Sequence, residues 1–394
     1  MNATPEGKTK QRFLALDLLR FLAVLLMVQG HVFREVLTQD VRGETWFRWH
    51  EYIHGFTAPI FLFASGLAFG LTTFRGWDKH LSWGETLRKR FERYFLLLVI
   101  AYWVQLPQLS LGSVLASSDA RMARILKVDA LHNIGITLLV AELLVITLRK
   151  PRRYTWVLGA LAVLAVAIAP ALAQLNLENV PRALAGFIQR SGPDSHFRSY
   201  FPLAPFSAFL LSGIVTAYFL FDERTRSFKL KAGPWLLGLG VLTYFAGEWL
   251  TQAIDLETVY GPHNYWVVGP FFFFVRIGVV WAVLGALATL TQLLPRLLEN
   301  PVGRTVQVLG QETLVIYVSH LFLLYGSPLN KALARQYKYS LSVAESTLCF
   351  LAVLGATGLL AWVWHQAKTR QPRAFDLARW SMTALLVFLF FWRS

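Results

Sequence analysis

Apolar runs of about 20 residues recur along the whole chain, each long enough to cross a bilayer core as an α-helix with its backbone groups satisfied internally. The pattern predicts an all-α, polytopic integral membrane protein of about eleven transmembrane helices, at 13–33, 52–72, 94–112, 129–148, 154–174, 201–221, 233–252, 266–292, 305–325, 341–364 and 377–392. Residues 1–12 read as a cytoplasmic amino-terminal tail and 13–394 as one transmembrane domain, because no loop is long enough for a separate soluble unit. No internal repeat is evident, which argues mildly against an inverted-repeat transporter.

Polar residues inside these runs carry the chemistry. In the first, Leu14-Ala-Leu-Asp17-Leu-Leu-Arg20 leads eleven residues on to His31. At 3.6 residues per turn that spacing returns to within about 20° of the same direction, so Arg20 and His31 share a helix face roughly 16 Å apart, with Asp17 flanking it. A charge in hydrocarbon costs about 2.5 kcal/mol or far more, so the face is expected to look into a polar cavity. His31 is a candidate general base or an interfacial histidine; Arg20 is a candidate anion-binding fork or the partner of Asp17 in an ion pair.

Further along, His54 precedes Gly-Phe-Thr-Ala-Pro59 and an aromatic helix ending Phe61-Leu-Phe-Ala-Ser65-Gly66. His54 is a candidate catalytic residue. Ser65-Gly66 reads as a small-residue helix contact, since no nucleophile elbow surrounds it. His132 and Asn133, just inside the fourth run, are candidates to hold a hydroxylated substrate or to cap their own helix, with Asp129 as N-cap. Arg276 comes about ten residues into the eighth run, as an anion site or a buried ion pair with Asp17 or Glu142. In the ninth, Thr313, Tyr317 and His320 fall along one side as cavity wall or helix-to-helix glue.

Composition sharpens this picture. Of 394 residues, 55% are apolar and 15% charged, with a net charge of +15. Such a charge could point to nucleic acid, but the basic residues scatter among loops at helix ends, and no nucleic-acid partner is expected. Of the 38 Lys and Arg residues, 23 fall in alternate loops beginning with the amino terminus and 13 in the others, which sets the amino terminus in the cytoplasm. Seven of the nine histidines then lie toward the outer face, where near-neutral groups suit proton transfer. Asp17 and Arg20 interrupt the first run, so no cleavable signal peptide is expected. The lone Cys349 allows no internal disulfide, and the absence of His-Glu-x-x-His spacing or a cysteine pair argues against a metal.

These motifs resemble the transmembrane acyltransferase superfamily. The resemblance rests on Arg20 and His31 with ten residues between them, Phe61 to Gly66, Tyr200-Phe-Pro-Leu-Ala-Pro-Phe206, and Leu309-Gly-Gln-Glu-Thr-Leu-Val-Ile-Tyr317-Val-Ser-His320. Leu131-His132-Asn-Ile-Gly135 and the proline-rich sixth run point to the branch similar to heparan-alpha-glucosaminide N-acetyltransferase over the acyltransferase 3 branch. Membership implies transfer of an acyl group, usually acetyl, from cytosolic acyl-CoA to a glycan-type hydroxyl or amine at the opposite face. It implies His31 as the essential histidine and Arg20 as its paired arginine, with membrane lipid as the surrounding partner. Arg20 and Arg276 are expected to hold the donor, and Asp17, His132, Asn133, Tyr317 and His320 the acceptor. Phe21, where many relatives carry glycine, and the short first outer loop leave the acceptor open. A homodimer is also left open, and the expected location is a bacterial cytoplasmic (inner) membrane. The competing reading is a transporter or exporter of a lipid, glycan or anionic solute that uses the same intramembrane Arg and His.

Overall fold

The first apolar run forms helix α1, Leu14–Val36, and the rest of the chain packs around it. The computed structural model describes residues 13–106, 110–222, 227–228, 232–326 and 331–392, so the expected tail at 1–12 lies outside the described residues. Numbering only the longer helices, α2 is Thr45–His54, α3 Thr57–Arg75, α4 Glu85–Trp103, α5 Ala130–Leu148, α6 Pro151–Leu172 and α7 Leu203–Leu220. There follow α8 Gly233–Ala253, α9 Pro270–Leu293, α10 Pro301–Gln311, α11 Thr313–Tyr325, α12 Val343–Arg370 and α13 Pro372–Trp392. Among the described residues the β-structure is slight: a two-residue antiparallel ladder pairs Phe221–Asp222 with Ser227–Phe228, and isolated bridges join Leu37 to Leu341 and Val128 to Ser199.

Helix α1 joins two apolar cores. Its first half places Ala15, Leu16, Leu19 and Ala23 among residues of α3, α5, α6, α7 and α9. Its second half places Val24, Val28, Val32 and Val36 among residues of α11 and α12. Burying one face against each core removes apolar side chains from contact with lipid or water on both sides. The tightest crossing is that of α3 and α7. A Cβ on Gly66 would stand 1.9 Å from the Leu210 carbonyl oxygen, and one on Gly213 would stand 2.2 Å from that of Phe63. Only hydrogen at these positions lets the two backbones meet, the small-residue contact expected at Ser65-Gly66.

Eight described helices are long and apolar enough to cross a membrane, counting α2 and α3 together, or nine if the bent pair α10 and α11 is one span. The sequence pattern expects eleven. The run at 94–112 lies partly in α4, whose first half carries Glu85, Arg88, Lys89, Arg90, Glu92 and Arg93, and the helix ends at Trp103. The run at 233–252 is helical, but Thr243, Glu248 and several glycines dilute its apolar character. The run at 305–325 is broken by 77° at Glu312. That carboxylate is buried and receives the His365 ring at 2.9 Å and the Lys368 ammonium, both from α12. The run at 266–292 is also divided, a short helix Tyr265–Val268 preceding α9. Arg276 therefore sits within two turns of the start of α9, nearer its end than the spacing implied.

Candidate active site

His31 lies near the carboxyl end of α1, and two other helices bring histidines to it. From α11, His320 places Nε2 2.9 Å from His31 Nδ1. His320 is fully buried, and its Nδ1 stands 3.0 Å from the Ile316 carbonyl oxygen one turn earlier. From the end of α2, the His54 ring centres 6.0 Å from that of His31. His54 reaches this place because residue 30 is glycine: a Cβ there would fall 1.6 Å from His54 Cδ2 and 1.8 Å from Nε2. His54 Nε2 is buried with no hydrogen-bond partner. Behind it, the His50 ring stacks 6.3 Å away and is held by Gln29 Oε1 at 2.9 Å.

His31 and His54 border a cavity of about 2170 Å³ whose wall also includes Pro59, Trp266, Arg276 and Tyr317. Tyr317 stacks on Phe61 at 6.0 Å and meets His320 edge-on at 5.8 Å, so the polar side of α11 is both cavity wall and packing surface. Among the described residues the wall carries eight Lys or Arg residues and two carboxylates, Glu35 and Asp129. On the wall Lys127 pairs with Asp129 at 2.9 Å, and Arg34 pairs with Glu51 at 3.1 Å. Burial works against ionisation of both Lys127 and Asp129, but their mutual attraction outweighs it, holding the Asp129 carboxyl below and the Lys127 ammonium above their ordinary ranges. Burial also lowers the Arg190 guanidinium on this wall from its ordinary value, and Arg34 adds to the effect. The surplus of positive charge favours an anionic guest.

The remaining expected site residues separate. Arg276 borders the cavity, donates from Nη2 to the Trp266 carbonyl at 2.8 Å and stacks 4.0 Å over Phe272; its Nε is buried without a partner. Glu142, one of the ion-pair partners expected for Arg276, is engaged elsewhere: it accepts from Arg90 at 2.8 Å and Tyr94 at 3.0 Å and meets His80 at 2.8 Å. Arg20 is half-buried on α1 and does not border the cavity, and Asp17, 3% exposed, packs where α10 crosses α1. His132 and Asn133 are fully buried. Asn133 donates to the Pro202 carbonyl at 2.8 Å, fixing the approach to α7. His132 Nδ1 accepts the Asp129 backbone N–H at 3.2 Å, which completes a capping box with Asp129 at the start of α5.

Gly30, Trp266 and most of the cavity cations do not stand out in the sequence. Gly30 next to His31 was the one local signal; the cations converge only through the fold.

These features define a helical integral membrane protein with a histidine-lined, cationic cavity. The chain belongs to the family described as heparan-alpha-glucosaminide N-acetyltransferase, catalytic, which matches residues 12–250, more than half its length, and this makes it a membrane acetyltransferase. The match covers α1 to most of α8, including Arg20, His31 and His54, and ends before Arg276, Tyr317 and His320. No curated protein matches the chain.

Proposed function

We propose that this protein transfers an acetyl or similar acyl group from cytosolic acyl-CoA to a hydroxyl or amine of a glycan-type acceptor in the His31 cavity. The observation that carries the reading is the placement of His31: the histidine of the Arg20 to His31 motif borders the large cavity with His54 beside it. An acceptor hydroxyl or amine must lose a proton as it attacks the thioester carbonyl, and an imidazole at the cavity wall is the group able to take it at neutral pH. The acceptor atom bonds to the carbonyl carbon, His31 receives its proton, and collapse of the adduct releases the coenzyme thiolate, which takes the proton back.

In this reading the amino terminus is cytoplasmic and the His31 end of α1 faces the outer side. Arg20, deeper on α1, steadies the donor from the cytoplasmic side, while Arg276 and the cations around it attract anionic parts of the substrates. His54, with its unengaged Nε2, reaches the reacting atoms as a second polar group. His132 and Asn133 support the site from behind by capping α5 and holding the approach to α7.

Turnover of acetyl-CoA by purified protein tests the proposal. His31→Ala is expected to lose roughly 10²- to 10⁴-fold in kcat, the usual worth of a positioned base. Arg20→Ala is expected to raise KM for the donor. Full activity in the His31 variant overturns the assignment.

A further inference from the structure

The hydrogen-bond chain running from His31 into α11 fixes which nitrogen of His31 is basic. His320 Nδ1 faces the Ile316 carbonyl oxygen at 3.0 Å. A carbonyl oxygen only accepts, so Nδ1 carries the hydrogen, and a neutral ring then leaves Nε2 bare. That bare nitrogen lies 2.9 Å from His31 Nδ1, which must be the donor. The lone pair of His31 is left on Nε2. Among the described residues nothing bonds to that nitrogen, and His31 borders the cavity while His320 lies sealed behind it.

We propose that His320 is a positioning residue that locks His31 in the Nδ1–H tautomer and shares the proton taken from the acceptor. This rests on the reading of His31 as the base. As the acceptor oxygen or nitrogen bonds to the thioester carbon, its proton moves to His31 Nε2, and the Nδ1–H of the new imidazolium shifts toward His320 Nε2. When the C–S bond breaks, the thiolate takes the proton from His31 Nε2 and both rings return to their starting tautomers. The pair gains one proton and gives it back, so the products are acylated acceptor and free coenzyme thiol.

An imidazole in the orienting position, where many hydrolytic sites use a carboxylate, has a physical reason in this cavity. A carboxylate beside His31 would sit among the wall cations and be drawn to them, whereas a neutral acceptor directs the His31 ring without competing for Arg34, Arg190 or Arg276. The charged and titratable groups around His31 are His320 from α11, His54 from α2, Asp129 at the start of α5 and Arg34 one turn further along α1.

The test is ¹⁵N NMR of histidine-labelled full-length protein in lipid nanodiscs, with His31 and His320 resonances assigned from the His31→Gln and His320→Gln variants. Wild type is expected to show His31 as the Nδ1–H tautomer and His320 likewise. In His320→Phe the His31 tautomers should mix, and kcat should fall roughly 10- to 100-fold, part of the general-base contribution, with KM for acetyl-CoA unchanged. His320→Gln, whose carboxamide oxygen can accept from His31 Nδ1, should keep the tautomer and most of kcat. His31 protonated on Nε2 in wild type, or unchanged in tautomer in His320→Phe, overturns the inference. So does an equal loss of kcat in the Phe and Gln variants. If His320→Phe fails to fold, the wild-type tautomer and the Gln variant still decide. Retained activity in His31→Ala would instead remove the base assignment and leave the tautomer result standing.

Discussion

A single missing methyl group makes the histidine cluster possible. His54 occupies the space a Cβ on Gly30 would need, so Gly30→Ala must push the ring away or shift α2 against α1. The expected outcome is a kcat reduced by about tenfold or more with donor affinity retained, because a displacement of about 1 Å near reacting groups costs up to 10²-fold. Steady-state kinetics check this, and a Gly30→Ala enzyme with wild-type kcat would show that His54 need not lie against His31. At this scale the sequence was readable only in part: His31, expected to look into a polar cavity, borders one, whereas Arg20, expected on the same face, does not. The contacts of His31 with His54 and His320 join residues of different helices, and no spacing in the chain encodes how those helices cross. Arg276 shows the same limit. Its burial was legible, but its hydrogen bond to the Trp266 carbonyl depends on the chain breaking at Gly269-Pro270.

Among the elements, α5 depends most clearly on its first residues. Asp129 accepts the Ala130 N–H at 2.9 Å and pairs with Lys127, while His132 reaches back to the Asp129 N–H. Asp129→Ala is expected to lower stability by about 1 kcal/mol for the cap. The pH dependence has a definite sign. Asp129 is held below its ordinary value, so its contribution is present above about pH 4 and fades as pH falls through the lower folded value. Lys127 is held above its ordinary value, so its contribution is present below about pH 10.4 and fades as pH rises through the higher folded value. The Tm difference between wild type and Asp129→Asn should therefore stay level from about pH 5 to 9 and shrink below about pH 4. A difference that persists unchanged at pH 3 contradicts the pairing. Element types were legible because apolar runs of span length have few folded options. The break at Glu312 was not, because hydropathy continues across it and the cations that meet the carboxylate come from α12, about 50 residues away.

For the whole molecule, α1 is a partition between two cores. The cavity at the His31 end gathers cations from loops far apart in sequence, which individually look like topology signals. The overall class was thus legible, while the site's charge was hidden because it is a sum over loops that only the fold brings together. In the proposed function the donor enters from the Arg20 side and the acceptor from the His31 side. Proteoliposomes with a uniform protein orientation, radiolabelled acetyl-CoA on the amino-terminal side and an amino sugar or hydroxylated glycan on the other test this most directly. The expected result is labelled acceptor on the far side with wild type, and none above background with His31→Ala. Equal labelling by the His31→Ala protein, or passage of unmodified acceptor without any acyl donor, would contradict it.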